Sequence, residues 1–147
     1  MKIDVCFSPA LYPVYHNPEA IVVVVDVFRA TTTMAAAFSN GVRSIRPVAT
    51  VEEAEAYKAK GWLVGAERNV KRCGFADFGN SPFDYTAEKV SGKDIVFTTT
   101  NGTRAITIAK SAFRVITELS SICRRWPVTV SAISGMWSCS VPAGRIR

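Results

Sequence analysis

Hydrophobic and polar positions alternate from Lys2 to Phe7, the period-two signature of a half-buried strand. Ser8 to Pro18 is rich in proline and reads as a loop. Ala20 to Val25 is an unbroken apolar, mostly β-branched run. That is the pattern of a strand buried on both faces, and it stops at Asp26. Ala30 to Ser39 is Ala-rich and closes on Asn40-Gly41, a helix stop. Arg43 to Val48 reads as a short strand. Thr50-Val51-Glu52-Glu53 spells a capping box, in which hydroxyl and carboxylate satisfy orphan amides. The helix it opens runs to about Lys60 and stops at Gly61. Trp62 to Ala66 is another strand.

Glu67 to Pro82 is long, polar and Gly-containing, with no period, as functional loops often are. Phe83 to Val90 predicts a short helix, Asp94 to Thr99 a strand, Asn101-Gly102 a turn, Thr103 to Ala112 a helix and Arg114 to Thr117 a strand. Strands alternating with helices of this length predict an α/β domain with a largely parallel or mixed sheet. From Glu118 onward the pattern fails. Val128 to Ile133 reads as a strand, and nothing after it reads as a terminal helix.

Composition narrows the class. A chain of 147 residues with 48% hydrophobic content predicts one folded domain and excludes a disordered chain. No apolar run approaches the ~20 residues that span a bilayer, and Met1-Lys2 leads into Ile3-Asp4 rather than a signal-peptide core. The expectation is a cytoplasmic protein with no membrane partner. The net charge of +6 divides unevenly: residues 1 to 118 hold all 12 acids and 14 bases, leaving +2. Arg124, Arg125, Arg145 and Arg147 supply the other +4. A basic excess confined to a short tail is a poor case for a nucleic-acid surface.

The four cysteines, Cys6, Cys73, Cys123 and Cys139, show no C-x-x-C spacing, and His16 is the sole histidine. That argues against zinc and for free thiols. Cys6 reads as a small core residue and His16 as a surface one.

Three polar clusters follow predicted strands, where ligands of open α/β sheets bind. The first is Asp26-Val27-Phe28-Arg29-Ala30-Thr31-Thr32-Thr33: a strand-end acid, then an Arg and hydroxyls at a helix start that favours anions. The second is Gly65-Ala66-Glu67-Arg68, leading to Gly79-Asn80-Ser81-Pro82. It adds a second strand-end acid and an Arg able to hold a phosphate bidentately. The third is Thr98-Thr99-Thr100-Asn101-Gly102-Thr103-Arg104, which lacks the spacing of a P-loop. Each has a plainer reading. Asp26, a Thr or Asn101 caps a helix, Gly79 to Pro82 is turn chemistry, and Asp77 is a solvated loop acid. Together the clusters give two carboxylates suited to Mg²⁺ and three Arg suited to phosphate or sulfonate oxygens. They predict metal-dependent chemistry on a small anionic substrate.

In this order, the clusters resemble the 2-phosphosulfolactate phosphatases of coenzyme M biosynthesis. The resemblance rests on Val25-Asp26-Val27-Phe28-Arg29-Ala30-Thr31-Thr32, Gly65-Ala66-Glu67-Arg68, Gly79-Asn80-Ser81-Pro82 and Thr98-Thr99-Thr100-Asn101-Gly102-Thr103-Arg104-Ala105, and it covers residues 1 to 117. It implies a layered α/β/α fold, here incomplete at the C-terminus, and a Mg²⁺-dependent hydrolase converting (2R)-2-phospho-3-sulfolactate to 3-sulfolactate and phosphate. Residues 118–147 depart from the pattern, losing acids and gaining Arg, Trp, Cys and Ser, as an out-of-frame translation would.

The expected site has Asp26 and Glu67 on the metal, and Asp26, Arg29, Arg68 and Arg104 in catalysis. Thr31, Asn80, Ser81, Thr99, Thr100, Asn101, Gly102 and Thr103 would hold substrate. Water attacks directly, or Asp26 forms a phosphoaspartyl intermediate. The expected partner is a small phosphorylated, sulfonated 2-hydroxy acid, with no nucleic acid. Missing strands would leave core faces uncovered, so the chain is expected to be unstable or inactive alone, or to pair as a homodimer. A non-catalytic domain binding a small anion or nucleotide is the alternative.

Overall fold

The computed structural model describes residues 3–118, 129–133 and 136–140; for residue 118 and the last two segments it describes strand backbone alone. Met1, Lys2, Cys123 and the arginines at 124, 125, 145 and 147 lie outside the described residues.

The chain order is α1 (Tyr12–Tyr15), β1 (Ile21–Val25), α2 (Ala30–Ser39), β2 (Ser44–Pro47), α3 (Val51–Ala59), β3 (Leu63–Arg68), β4 (Lys71–Arg72), α4 (Ala87–Val90), β5 (Asp94–Thr98), α5 (Gly102–Ala109), β6 (Arg114–Glu118), β7 (Thr129–Ile133) and β8 (Met136–Ser140). β1 and β6 pair in parallel, Ile21 opposite Arg114. The second sheet has the order β4-β3-β5-β2-β8-β7. Its centre, β3-β5-β2, is parallel, while β4, β8 and β7 are joined antiparallel. This is the expected α/β class with a mixed sheet.

β5 shows why the layers form. Ile95 and Phe97 pack with Ala30, Met34, Ala37, Ile106 and Ala109 of α2 and α5. The intervening Val96 packs with Ala54 of α3 and with Val64 and Ala66. Period-two alternation thus serves two cores at once. Sheet-facing residues of α5 recur as Gly102, Thr103, Ile106 and Ala109, the stripe of an amphipathic helix. α3 carries the predicted capping box, with the Thr50 hydroxyl accepting from the Glu53 amide at 3.1 Å and Glu53 accepting from the Thr50 amide at 3.3 Å. Gly41 and Gly61 end their helices at φ of +85° and +83°.

Four expectations are corrected. Residues 3–7, the described part of the expected Lys2 to Phe7 strand, are not a strand: no described strand pairs with them, and Ile3, Val5 and Phe7 are exposed. Alternation supplies a face but no hydrogen-bonding partner. Cys6 is accordingly half-buried rather than core, its thiol donating to the Ser8 carbonyl at 3.1 Å. The run ending at Val25 is buried on one face only. Val24 is 8% exposed, whereas Ile21, Val23 and Val25 are 55, 48 and 54% exposed, because α2 and α5 cover one side of β1. Within Ser8 to Pro18, a 3₁₀ turn (Pro9–Leu11) and α1 form, with Pro tolerated in each first turn. β7 (Thr129–Ile133) lies within the expected Val128 to Ile133 strand, whose first residue is outside the described residues, and β8 follows as its antiparallel partner. Cys6 and Cys73 are free thiols, as expected, and His16 is exposed, 2.9 Å from the Ser111 hydroxyl. Among the described residues no helix is long and apolar enough to cross a membrane.

Candidate functional site

Asp26 follows the last residue of β1, and Gly102 opens α5 just beyond β5. The two are pressed together. A Cβ on Gly102 would lie 2.3 Å from the Ala30 Cβ and 2.8 Å from Asp26 Oδ2. Only a residue without a side chain lets the first turns of α2 and α5 approach this closely, with the Asp26 carboxylate between them. Both helices present the positive ends of their dipoles there.

Local hydrogen bonds hold the two turns. The Thr31 hydroxyl donates to the Asp26 carbonyl at 2.8 Å and accepts from the Asp26 amide at 3.1 Å. In the other turn, Thr99 Oγ1 accepts from the Thr103 amide at 3.2 Å, and Thr103 Oγ1 accepts from the Thr99 amide at 3.0 Å. Thr31, Thr99 and Thr103 are buried, so these three hydroxyls brace backbone. Arg29 and Asn101, the residues just before α2 and α5, make no side-chain capping bond. Helix capping by Asn101, the plainer reading, is therefore not what this turn does; Thr99 satisfies the Thr103 amide instead.

Glu67 lies in β3, beside the end of β5. It is 7% exposed, and Oε1 accepts from the Val70 amide at 2.6 Å and from the Thr100 hydroxyl at 3.2 Å. The Val70 amide comes from a two-residue hairpin turn between β3 and β4, where Asn69 and Val70 have φ of +52° and +67°. Such turns favour Asn-Gly; Asn-Val gave no sequence signal, so β4 was hidden inside the expected loop.

Asp26 holds its proton more tightly than an ordinary carboxyl. Burial is the main cause, and the charge of Glu67 adds to it; the amides of Ala30 and Phe28 pull the other way. The charge of Glu67 thus reaches the Asp26 carboxyl. Among the described residues no group of three or more His, Cys, Asp or Glu could hold a metal.

The arginines separate by role. Arg68 is committed to structure, donating to its neighbour's carbonyl on Glu67 at 2.7 Å, to Thr98 Oγ1 at 2.9 Å and to the Ala49 carbonyl at 3.3 Å. Arg29 flanks α2 and Arg104 sits in the first turn of α5; among the described residues neither guanidinium has a hydrogen-bond or ion-pair partner. Thr100 and Asn101 are exposed on the connecting turn.

Asn80 is 8% exposed. Its carbonyl accepts from Thr33 Oγ1 at 3.1 Å, which fixes the Gly79-Asn80-Ser81 strip against α2. Its side-chain Oδ1 is buried without a partner. Ser81 is half-buried and caps a 3₁₀ turn, Pro82–Asp84, through its carbonyl rather than its hydroxyl. Gly65 serves packing: a Cβ there would fall 2.2 Å from the Tyr85 hydroxyl, which donates to the Gly79 carbonyl at 2.8 Å. Asp77 is not a solvated loop acid. It pairs with Lys58 at 2.6 Å and accepts from the Val64 amide at 2.9 Å, tying α3 to β3.

Residues 6–121 match the profile of a family described as 2-phosphosulpholactate phosphatase. A probable 2-phosphosulfolactate phosphatase of Thermotoga petrophila is 51% identical over 84 residues, 57% of this chain and 37% of the relative. Those of Clostridium beijerinckii and Clostridium perfringens strain 13 are each 39% identical, over 119 and 122 residues, covering 78 and 79% of this chain and 50 and 49% of the relatives. The chain spans about half or less of the length of these curated relatives. It belongs to the 2-phosphosulpholactate phosphatase family.

Proposed function

We propose that this chain carries one half of the active site of a Mg²⁺-dependent phosphatase acting on (2R)-2-phospho-3-sulfolactate, releasing 3-sulfolactate and phosphate. The observation that carries the reading is the Asp26 carboxylate wedged between the first turns of α2 and α5, close enough to Glu67 to feel its charge. Two carboxylates repel an approaching phosphate, and a cation held between them would offset that repulsion. Two oxygen-donor acids that leave room for water and substrate oxygens fit Mg²⁺. Asp26 and Glu67 would hold it, and when bound it supplies charge stabilisation to the phosphoryl oxygens.

The remaining work falls to the chain's own groups. Arg29 and Arg104, without internal partners, bind the phosphoryl or sulfonate oxygens. Amides of the Thr99 to Gly102 turn orient substrate at the positive end of α5. Arg68, Thr31, Thr99 and Thr103 position these groups through the bonds described above, and the side-chain amide nitrogen of Asn80 would donate to a substrate oxygen. Water attacks phosphorus directly and displaces the sulfolactate oxygen, or Asp26 displaces it and water then hydrolyses the phosphoaspartyl to release phosphate.

The test is phosphate release from 2-phosphosulfolactate by a single-chain chimera of residues 1–118 and the unmatched half of the Clostridium perfringens relative. Mg²⁺-dependent release supports the reading. Metal-independent release, or hydrolysis of unsulfonated monoesters alone, contradicts it.

A further inference from the structure

β5 is covered on both faces, but β1 is covered on one. Ile21, Val23 and Val25 form an apolar ridge about half exposed. A sheet face this apolar ordinarily packs against another layer. β6, the partner of β1, ends at Glu118, and the family match ends at residue 121. A chain continuing from the matched stretch therefore sets out beside the bare ridge. The relatives hold about half their length outside that stretch.

We propose that the Ile21-Val23-Val25 face of β1 is a docking surface for the unmatched half of a full-length family member, and that this chain binds such a half when it is supplied as a separate polypeptide. The inference rests on family membership and on burial, not on the catalytic reading. The two therefore fail separately: a complex can form without turnover.

The test is co-expression of the 147-residue chain with the unmatched half of the Clostridium perfringens relative, followed by purification and sedimentation equilibrium. A one-to-one complex is expected. Val23→Lys should weaken it at least about tenfold, the loss expected when a buried Val becomes a charge. Phe83→Lys, on an exposed residue of the 3₁₀ turn that packs on α2, should leave it intact. A second readout does not depend on that variant folding. With Val23→Cys, a thiol reagent should label the peptide containing position 23 in the chain alone and fail to label it in the complex. Absence of a complex, unchanged affinity with Val23→Lys, or equal labelling overturns the proposal. So does a stable homodimer of the chain in which position 23 is already protected, because the occupant is then a second copy.

Discussion

Ala30 and Gly102 are the point where the first turns of α2 and α5 touch, and a Cβ on Gly102 would lie 2.3 Å from that of Ala30. Gly102→Ala must push the helices apart or displace Asp26. Overpacking of this kind costs about 1–3 kcal/mol. The variant should melt at a lower temperature and lose at least about tenfold in phosphate affinity, measured calorimetrically in the presence of Mg²⁺. Unchanged affinity would mean that the junction is packing alone.

Gly65→Ala separates stability from binding. Its Cβ would meet the Tyr85 hydroxyl at 2.2 Å and Phe97 at 2.7 Å, both fully buried. A loss of about 1–3 kcal/mol in chemical denaturation is expected, with the Asp26 junction undisturbed.

Val70 holds a left-handed conformation at φ of +67°, costly for a β-branched residue. Val70→Gly relieves that strain and keeps the amide that bonds Glu67. Partly offset by the greater freedom of an unfolded glycine, it should stabilise the protein by up to about 1 kcal/mol, read as a rise in Tm.

How much the sequence disclosed follows from what each signal contains. The capping box at Thr50 is local chemistry, and it appears as written. The apolar run ending at Val25 disclosed a strand but not its surroundings, since burial of its second face depends on a layer elsewhere in the fold. The β3–β4 hairpin was hidden because Val70 stands where turn chemistry calls for Gly. Asp26 and Glu67 are legible as strand-end acids; Gly102 reads as turn, although it opens α5. That Thr31, Thr99 and Thr103 brace backbone, and that Asp77 serves Lys58, required knowing which turns face each other.

Asp94 gives a pH signature. It accepts from Arg43 Nε at 2.9 Å and from the Ser44 hydroxyl at 2.6 Å, and the Arg43 bond is the main reason its pKa lies below the ordinary carboxylate value. A lowered folded-state pKa contributes stability above the unfolded pKa of about 3.9, and that contribution is lost as pH falls through the lower folded value. Asp94→Asn should therefore lower Tm at pH 7. The gap should close as the pH is taken below about 3.9. The effect is modest because the pair is solvent-exposed. A gap that persists in acid would assign the loss to hydrogen bonding alone.

The account turns on Asp26, and the most direct measurement is Mg²⁺-dependent phosphate release by the single-chain chimera and by its Asp26→Asn variant. Loss of at least about a thousandfold in kcat is expected, since the substitution removes either a metal ligand or the nucleophile. Retained Mg²⁺ affinity alongside that loss would assign the nucleophile role. Full activity of Asp26→Asn would contradict the account under either route.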